Sequence, residues 1–149
     1  FVCGRFLEGK FMTLWLGVFD FRAATIRYVD AGHGYARLRK PDGTCDSLDD
    51  NTSIVLGFDA DIGYEARTVP MTPGGSVLVV SDGFVEQPSP EPPGSIKTPP
   101  HQFGMEGVQA CWNAAPADAD LLAALYAAVE KHAGTTALAD DATAVLVQW

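Results

Sequence analysis

Apolar residues fall in short blocks along most of the chain, and a helical period takes over only near its end. Phe11 to Phe19 is an apolar run too short, and too rich in aromatic and branched residues, for an amphipathic helix. It predicts a strand buried on both faces. After a turn over Asp20 to Ala24, Thr25 to Ala31 alternates, with Ile26 and Tyr28 on one face and Thr25 and Arg27 on the other. That period of two predicts a half-buried strand paired with the first as an antiparallel hairpin. Gly32-His33-Gly34 breaks the pattern before Tyr35 to Lys40 resumes it. Pro41-Asp42-Gly43 is a turn, proline presetting φ and glycine allowing φ above zero, and Cys45 to Leu48 is the return strand.

Asp49 to Ser53 reads as a polar loop, Ile54 to Phe58 as a short apolar segment and Tyr64 to Val69 as another strand. Ser76-Val-Leu-Val-Val80 follows a turn cluster and is a β-branched run of the kind found in central strands. Gln87 to Gln102 carries Pro88, Pro90, Pro92, Pro93, Pro99 and Pro100, which withdraw the backbone donors that a sheet or helix needs, so a long excursion is expected. Met105 to Asn113 suits a short helix. Asp118 or Asp120 caps a longer one in which Leu121, Leu122, Leu125, Tyr126 and Val129 share a face and Gly134 ends the run. Thr143 to Trp149 is a closing strand. Many strands, two late helices and a final strand predict an α+β layered domain rather than βαβ repetition.

The chain's 149 residues, 47% of them hydrophobic, suit a single domain spanning 1–149. A net charge of -9 repels phosphate backbones and anionic lipid headgroups, so neither nucleic acid nor a membrane surface is an expected partner. No apolar run approaches the roughly 18 residues of a membrane helix, and no signal-type segment opens the chain. Cys3, Cys45 and Cys111 are dispersed, as are His33, His101 and His132, which indicates neither a zinc site nor a disulfide framework and points to a cytoplasmic setting. Trp15, Trp112 and Trp149 fall in predicted elements and read as core residues.

Asp82 directly follows a five-residue apolar strand, and Gly83 after it frees the backbone to turn. Asp140 and Asp141 precede the last apolar strand in mirror-image fashion. If those strands are neighbours, the carboxylates converge, and converging carboxylates repel unless a cation neutralises them. Hard oxygen ligands favour Mg²⁺, Mn²⁺ or Ca²⁺ over zinc. The plainer alternative is that Asp-Gly is a turn dipeptide and Asp-Asp a solvated loop. Glu86 reads either as an acceptor for metal-bound water or as a solvated loop residue.

Four segments in order resemble the SpoIIE-type, RsbU-like branch of the metal-dependent (type 2C-like, PPM) serine/threonine phosphatases. Phe11-Met-Thr-Leu-Trp-Leu-Gly-Val-Phe-Asp20 is similar to F-[VM]-T-L-x-x-G-x-x-D, and Ile26-Arg-Tyr-Val-Asp-Ala-Gly-His33 to L-x-Y-x-N-A-G-H. Pro73-Gly-Gly-Ser-Val-Leu-Val-Val-Ser-Asp-Gly-Phe-Val-Glu86 resembles P-G-D-x-L-L-L-Y-T-D-G-V-x-E, and Asp140-Asp-Ala-Thr-Ala-Val-Leu-Val147 resembles D-D-x-T-L-L-V-L. The resemblance implies a two-layer antiparallel β-sandwich flanked by helices (αββα). It implies Asp82 and Asp140 as catalytic metal ligands, with Asp141 their neighbour, and two Mn²⁺ or Mg²⁺ ions that activate water for in-line attack on phosphorus. It further implies a phosphorylated STAS-type (anti-anti-sigma) protein as substrate in bacterial signalling, an upstream sensor or receiver domain, and in the A-G-H turn a His33 that orders the loop by hydrogen bonding.

The family's G-G-D-[FY]-x-D segment, whose aspartate bridges both metals, and its G-H-G motif are not found before Phe11. On that pattern the chain corresponds to the C-terminal two-thirds of a phosphatase domain, N-terminally truncated. An unpaired strand edge left by such truncation invites a homodimer or strand exchange. The alternative function is an inactive pseudophosphatase or partner-binding regulatory module that keeps the fold without turnover.

Overall fold

The computed structural model describes residues 11–49, 54–59, 61–90, 101–116 and 119–149. The fold is α+β with antiparallel sheets and helices, as the sequence predicts. Two compact units are present, Phe1–Leu78 with Val147–Trp149 and Val79–Leu146.

In the first unit, β1 (Leu14–Asp20) and β2 (Thr25–Ala31) form the expected hairpin, in register from Leu14 opposite Ala31 to Asp20 opposite Thr25. The turn is tied by the Asp20 carboxylate, which accepts the amides of Arg22 and Ala23 at 2.9 and 2.8 Å. In β2, Ile26, Tyr28 and Asp30 are buried, as its alternation demands. β1 departs from expectation: Leu16 and Val18 are 56% and 60% exposed, and Trp15, Gly17 and Phe19 half-buried. Among the described residues it is one of the two edge strands of its sheet. An apolar run records that both faces could be covered, not that both are. The inner face is anchored by Trp15, whose ring stacks on Tyr28 and whose Nε1 donates to the Leu48 carbonyl at 3.0 Å.

The end of β2 is organised by a buried charge. Asp30 is only 2% exposed, and its two carboxylate oxygens accept the amides of His33 and Gly34 at 2.7 and 3.0 Å. Gly32 and Gly34 both take φ of 74°, the left-handed region open to glycine. The ordering of this turn therefore belongs to Asp30 and not, as the sequence suggested, to His33. The His33 ring lies edge-on to Tyr35, and its Nε2 is buried with no hydrogen-bond partner among the described residues.

β3 (Ala36–Arg39) and β4 (Cys45–Ser47) pair across the Pro41-Asp42-Gly43 turn, where Gly43 has φ of 85° and the Asp42 carboxylate accepts from the Thr44 amide and hydroxyl. β5 (Arg67–Pro70) completes the first sheet in the order β1-β2-β5. β6 (Ser76–Val80), almost wholly buried, runs between β3 and β7 (Ala144–Gln148) in the second sheet, β4-β3-β6-β7. Bonds at both ends of the β6–β7 pair, Trp149 N to Gly75 O and Ser81 N to Thr143 O, fix an antiparallel register. Trp149 is half-buried, its Nε1 donating to the Thr72 carbonyl at 2.7 Å.

The second unit carries the helices. A single turn, α1 (Asp82–Val85), follows β6 directly, where the sequence suggested a turn. In α2 (Gly104–Ala114), Val108 and Trp112 are buried. In α3 (Leu121–Ala133), Leu121, Leu125, Val129 and Ala133 form a four-residue stripe. Asp120 caps α3 by accepting the Ala123 amide at 3.1 Å, and Gly134 ends it at φ of 67°. The alternative cap Asp118, the polar loop residues 50–53, Cys3, and Pro92, Pro93, Pro99 and Pro100 of the excursion lie outside the described residues. The base of that excursion is stapled by Ser89 N donating to His101 O and Phe103 N donating to Gln87 O, each 2.9 Å. Among the described residues no helix is long and apolar enough to cross a membrane.

Removing the Asp30 carboxylate strands two amides in a turn that is otherwise held tightly. Asp30→Ala is expected to lower the unfolding free energy by about 1–3 kcal/mol, read from urea denaturation. A loss within about 0.5 kcal/mol, the range of an ordinary surface change, would contradict this account of the turn.

Candidate functional site

Asp82, Asp140 and Asp141 all lie within the second unit. β6 delivers Asp82 as the first residue of α1, while the 139–143 stretch brings Asp140 toward the start of β7. Asp82 and Asp140 line one cavity of about 190 Å³ together with Gly83, Glu86, Gln87 and Ala139. Asp141, the third acidic candidate, does not line it. Both lining aspartates are exposed, and each turns one oxygen back on the chain: Asp82 Oδ1 accepts the Gly83 amide at 3.0 Å and Asp140 Oδ1 the Asp141 amide at 2.7 Å.

Beside the Ser81 amide's bond to the Thr143 carbonyl, four hydrogen bonds from side chains grip the main chain of the 139–143 stretch. Ser81 makes the first pair: its hydroxyl donates to the Asp141 carbonyl at 3.2 Å and accepts the Thr143 amide at 2.9 Å. Tyr126 of α3 donates its hydroxyl to the Ala142 carbonyl at 2.6 Å. Its ring lies edge-on to the fully buried Phe84, 4.9 Å between centroids. Burying Phe84 stabilises this packing by about 1.5–3 kcal/mol. The last grip is Gln87, whose Oε1 accepts the Ala139 amide at 2.8 Å.

Gly83 has a different role from the one its sequence context suggests. It lies within α1 and is not among the positive-φ glycines, so conformational freedom does not explain it. A Cβ at this position would overlap the Asp141 carbonyl oxygen and lie 2.7 Å from its carbon and 3.0 Å from the Ala142 nitrogen. Absence of a side chain is what lets α1 lie against the 139–143 stretch.

The cavity's chemistry suits a hard cation. Mg²⁺, and Mn²⁺ on similar oxygen donors, is held through one or two carboxylates with water filling the remaining positions. Asp82 and Asp140, with Glu86 on the same wall, match that donor set. Among the described residues no group of three or more His, Cys, Asp or Glu side chains is placed to hold a metal ion. An ion held by two carboxylates there would keep water at its remaining positions. Sequence reasoning passed over Ser81 as a latch, Gln87 and Tyr126. Only the position of Ser81 between strand and Asp-Gly gave any signal.

The family model of stage II sporulation protein E matches residues 1–149. Among solved structures, the phosphatase domain of SpoIIE from Bacillus subtilis superposes with a TM-score of 0.65 at 15% identity, covering 91% of this chain and 57% of that one. The same domain has been presoaked with Mn. The SiaA-PP2C domain of Pseudomonas aeruginosa gives 0.74 at 18% identity over 92% of this chain and 51% of that one. The RsbU and RsbW domains of a Mycobacterium tuberculosis protein give 0.66 at 21%, covering 91% and 36%. These likenesses establish the fold, and the chain spans little more than half the length of the first two. No curated protein matches at the sequence level.

A methyl group at Gly83 must push α1 away from Asp141. Gly83→Ala is expected to destabilise the protein by about 1–3 kcal/mol, the cost of overpacking a close contact, read from its denaturation midpoint. A neutral or stabilising outcome would mean that the two backbones part without penalty.

Proposed function

The chain belongs to the stage II sporulation protein E (SpoIIE) family, and on that premise we propose that its full-length gene product is a Mn²⁺- or Mg²⁺-dependent phosphatase acting on phosphoserine or phosphothreonine of a regulatory protein. The observation that carries this reading is the meeting of Asp82 and Asp140 on one cavity, at the end of the antiparallel pair where β6 finishes and β7 begins. Bound divalent cations supply an activated water and neutralise charge developing on the phosphoryl group. Asp82 and Asp140 hold the cations. Ser81, Gly83 and Tyr126 keep the Asp140 stretch against α1, so the two carboxylates face one volume without reorganisation. The Mn presoak of the Bacillus subtilis domain supports manganese as the ion. The substrate we propose is a phosphorylated STAS-type protein, with a sensor or receiver domain upstream, as the resemblance of the sequence motifs implies.

A second reading is a regulatory module without turnover. It is supported by the small donor set, in which no three candidate ligands cluster among the described residues. The two readings separate on one measurement, release of inorganic phosphate from a phosphorylated STAS-type protein by the full-length gene product with Mn²⁺. The phosphatase reading expects release that falls at least about 100-fold in Asp82→Asn and in Asp140→Asn, since loss of a ligand exceeds the 10–100-fold cost of losing a residue behind one. Asp141→Asn is expected to retain most of it. Unchanged release in both cavity variants would remove the site assignment, and no release from wild type would favour the regulatory reading.

A further inference from the structure

We propose that Gln87, itself on the cavity wall, is a positioning residue that sets the placement of Asp140 relative to Asp82 through the main chain, an inference that rests on the metal reading above. Gln87 is one of very few buried polar side chains among the described residues, only 4% exposed. A buried amide is costly unless both its ends are bonded, and both are. Its Oε1 accepts the Ala139 amide at 2.8 Å, and its Nε2 donates to the Pro88 carbonyl at 3.1 Å. The bond to Ala139 spans 52 positions and ends one residue before Asp140.

The other end of this connection is equally fixed. The Gln87 carbonyl accepts the Phe103 amide at 2.9 Å, Pro88 bridges Gln102, and Ser89 donates to His101. The base of the proline-rich excursion thus holds the Gln87 backbone, and the side chain carries that constraint to the main chain beside Asp140. Gln87 lies one residue past the C-cap of α1, the helix that begins with Asp82. A single side chain therefore joins the segment leaving one aspartate to the segment entering the other. Ser81 and Tyr126 hold the far side of Asp140, through Asp141, Ala142 and Thr143. Gln87 holds the near side. Without it the Ala139–Asp140 peptide is tethered from one direction only.

The test uses the full-length gene product and two readouts, exchange of the Ala139 amide hydrogen in metal-free protein and Mn²⁺ affinity by titration calorimetry. Gln87→Met keeps the length of the side chain and removes both hydrogen bonds. It is expected to speed Ala139 exchange and to weaken Mn²⁺ binding by about 10-fold or more, as loss of a residue orienting a metal ligand does. Gln87→Glu keeps the acceptor and is expected to restore Ala139 protection, which is its rescue readout, because a carboxylate here also adds a donor to the cavity. Should the methionine variant not fold, Gln87→Asn, one methylene too short to reach the Ala139 amide, makes the same test. Faster exchange with unchanged Mn²⁺ affinity overturns the positioning role, and unchanged exchange overturns the clamp itself. Wild-type protein that binds no Mn²⁺ overturns the metal reading and the positioning role with it. That outcome is distinct from failure of the clamp alone, in which wild type and Gln87→Met bind Mn²⁺ equally.

Discussion

Two stretches of main chain, at Gly83 and at Asp141, run so close that only a hydrogen atom fits between them, and the shared acidic cavity depends on that closeness. Pairing of β6 with β7 aligns the two stretches, and the Ser81 hydroxyl, donating to one and accepting from another of the backbone groups opposite, carries the alignment past the end of the strands. A threonine would present the same hydroxyl. A side chain at Gly83 has no such substitute. Among the described residues the carboxylates are exposed and each accepts the amide of the residue that follows it, so their placement is a property of the backbone beneath them.

The parts of the fold legible in the sequence are those where residue type reports a physical requirement. β2 alternates because one of its faces is buried, and the strand is found at the residues where alternation placed it. α3 announces both ends, with an aspartate that caps the first turn and a glycine that leaves in the left-handed conformation. β6 is continuous and β-branched because it lies between two neighbours. β1 was read with too much burial because apolar residues on both faces give the same string whether one face or two are covered. α1 could not be read at all: four residues are too few to show a period.

The site shows the same division. The placement of Asp82 after one strand and of Asp140 before another could be read from strand boundaries, and their family motifs strengthened it. The grip around them could not. Gln87 and Tyr126 act on the amide of Ala139 and the carbonyl of Ala142, groups that every residue type supplies equally. No pattern of side chains marks a residue whose partner is a main-chain atom far along the sequence. The turn after β2 was misjudged for a related reason, because the buried aspartate three positions earlier does what the more conspicuous histidine was expected to do.

The latch at Ser81 joins residues 62 positions apart, and this has a consequence for the order of folding. Contacts of such separation come late, because the intervening chain must first be ordered. The helices of the second unit and the β1–β2 hairpin are built from local contacts and can form beforehand. The carboxylate pair cannot. Until β7 is laid beside β6, Asp82 stands at the end of a strand without Asp140 on a shared cavity. The shared acidic cavity is thereby complete only when β7 lies beside β6.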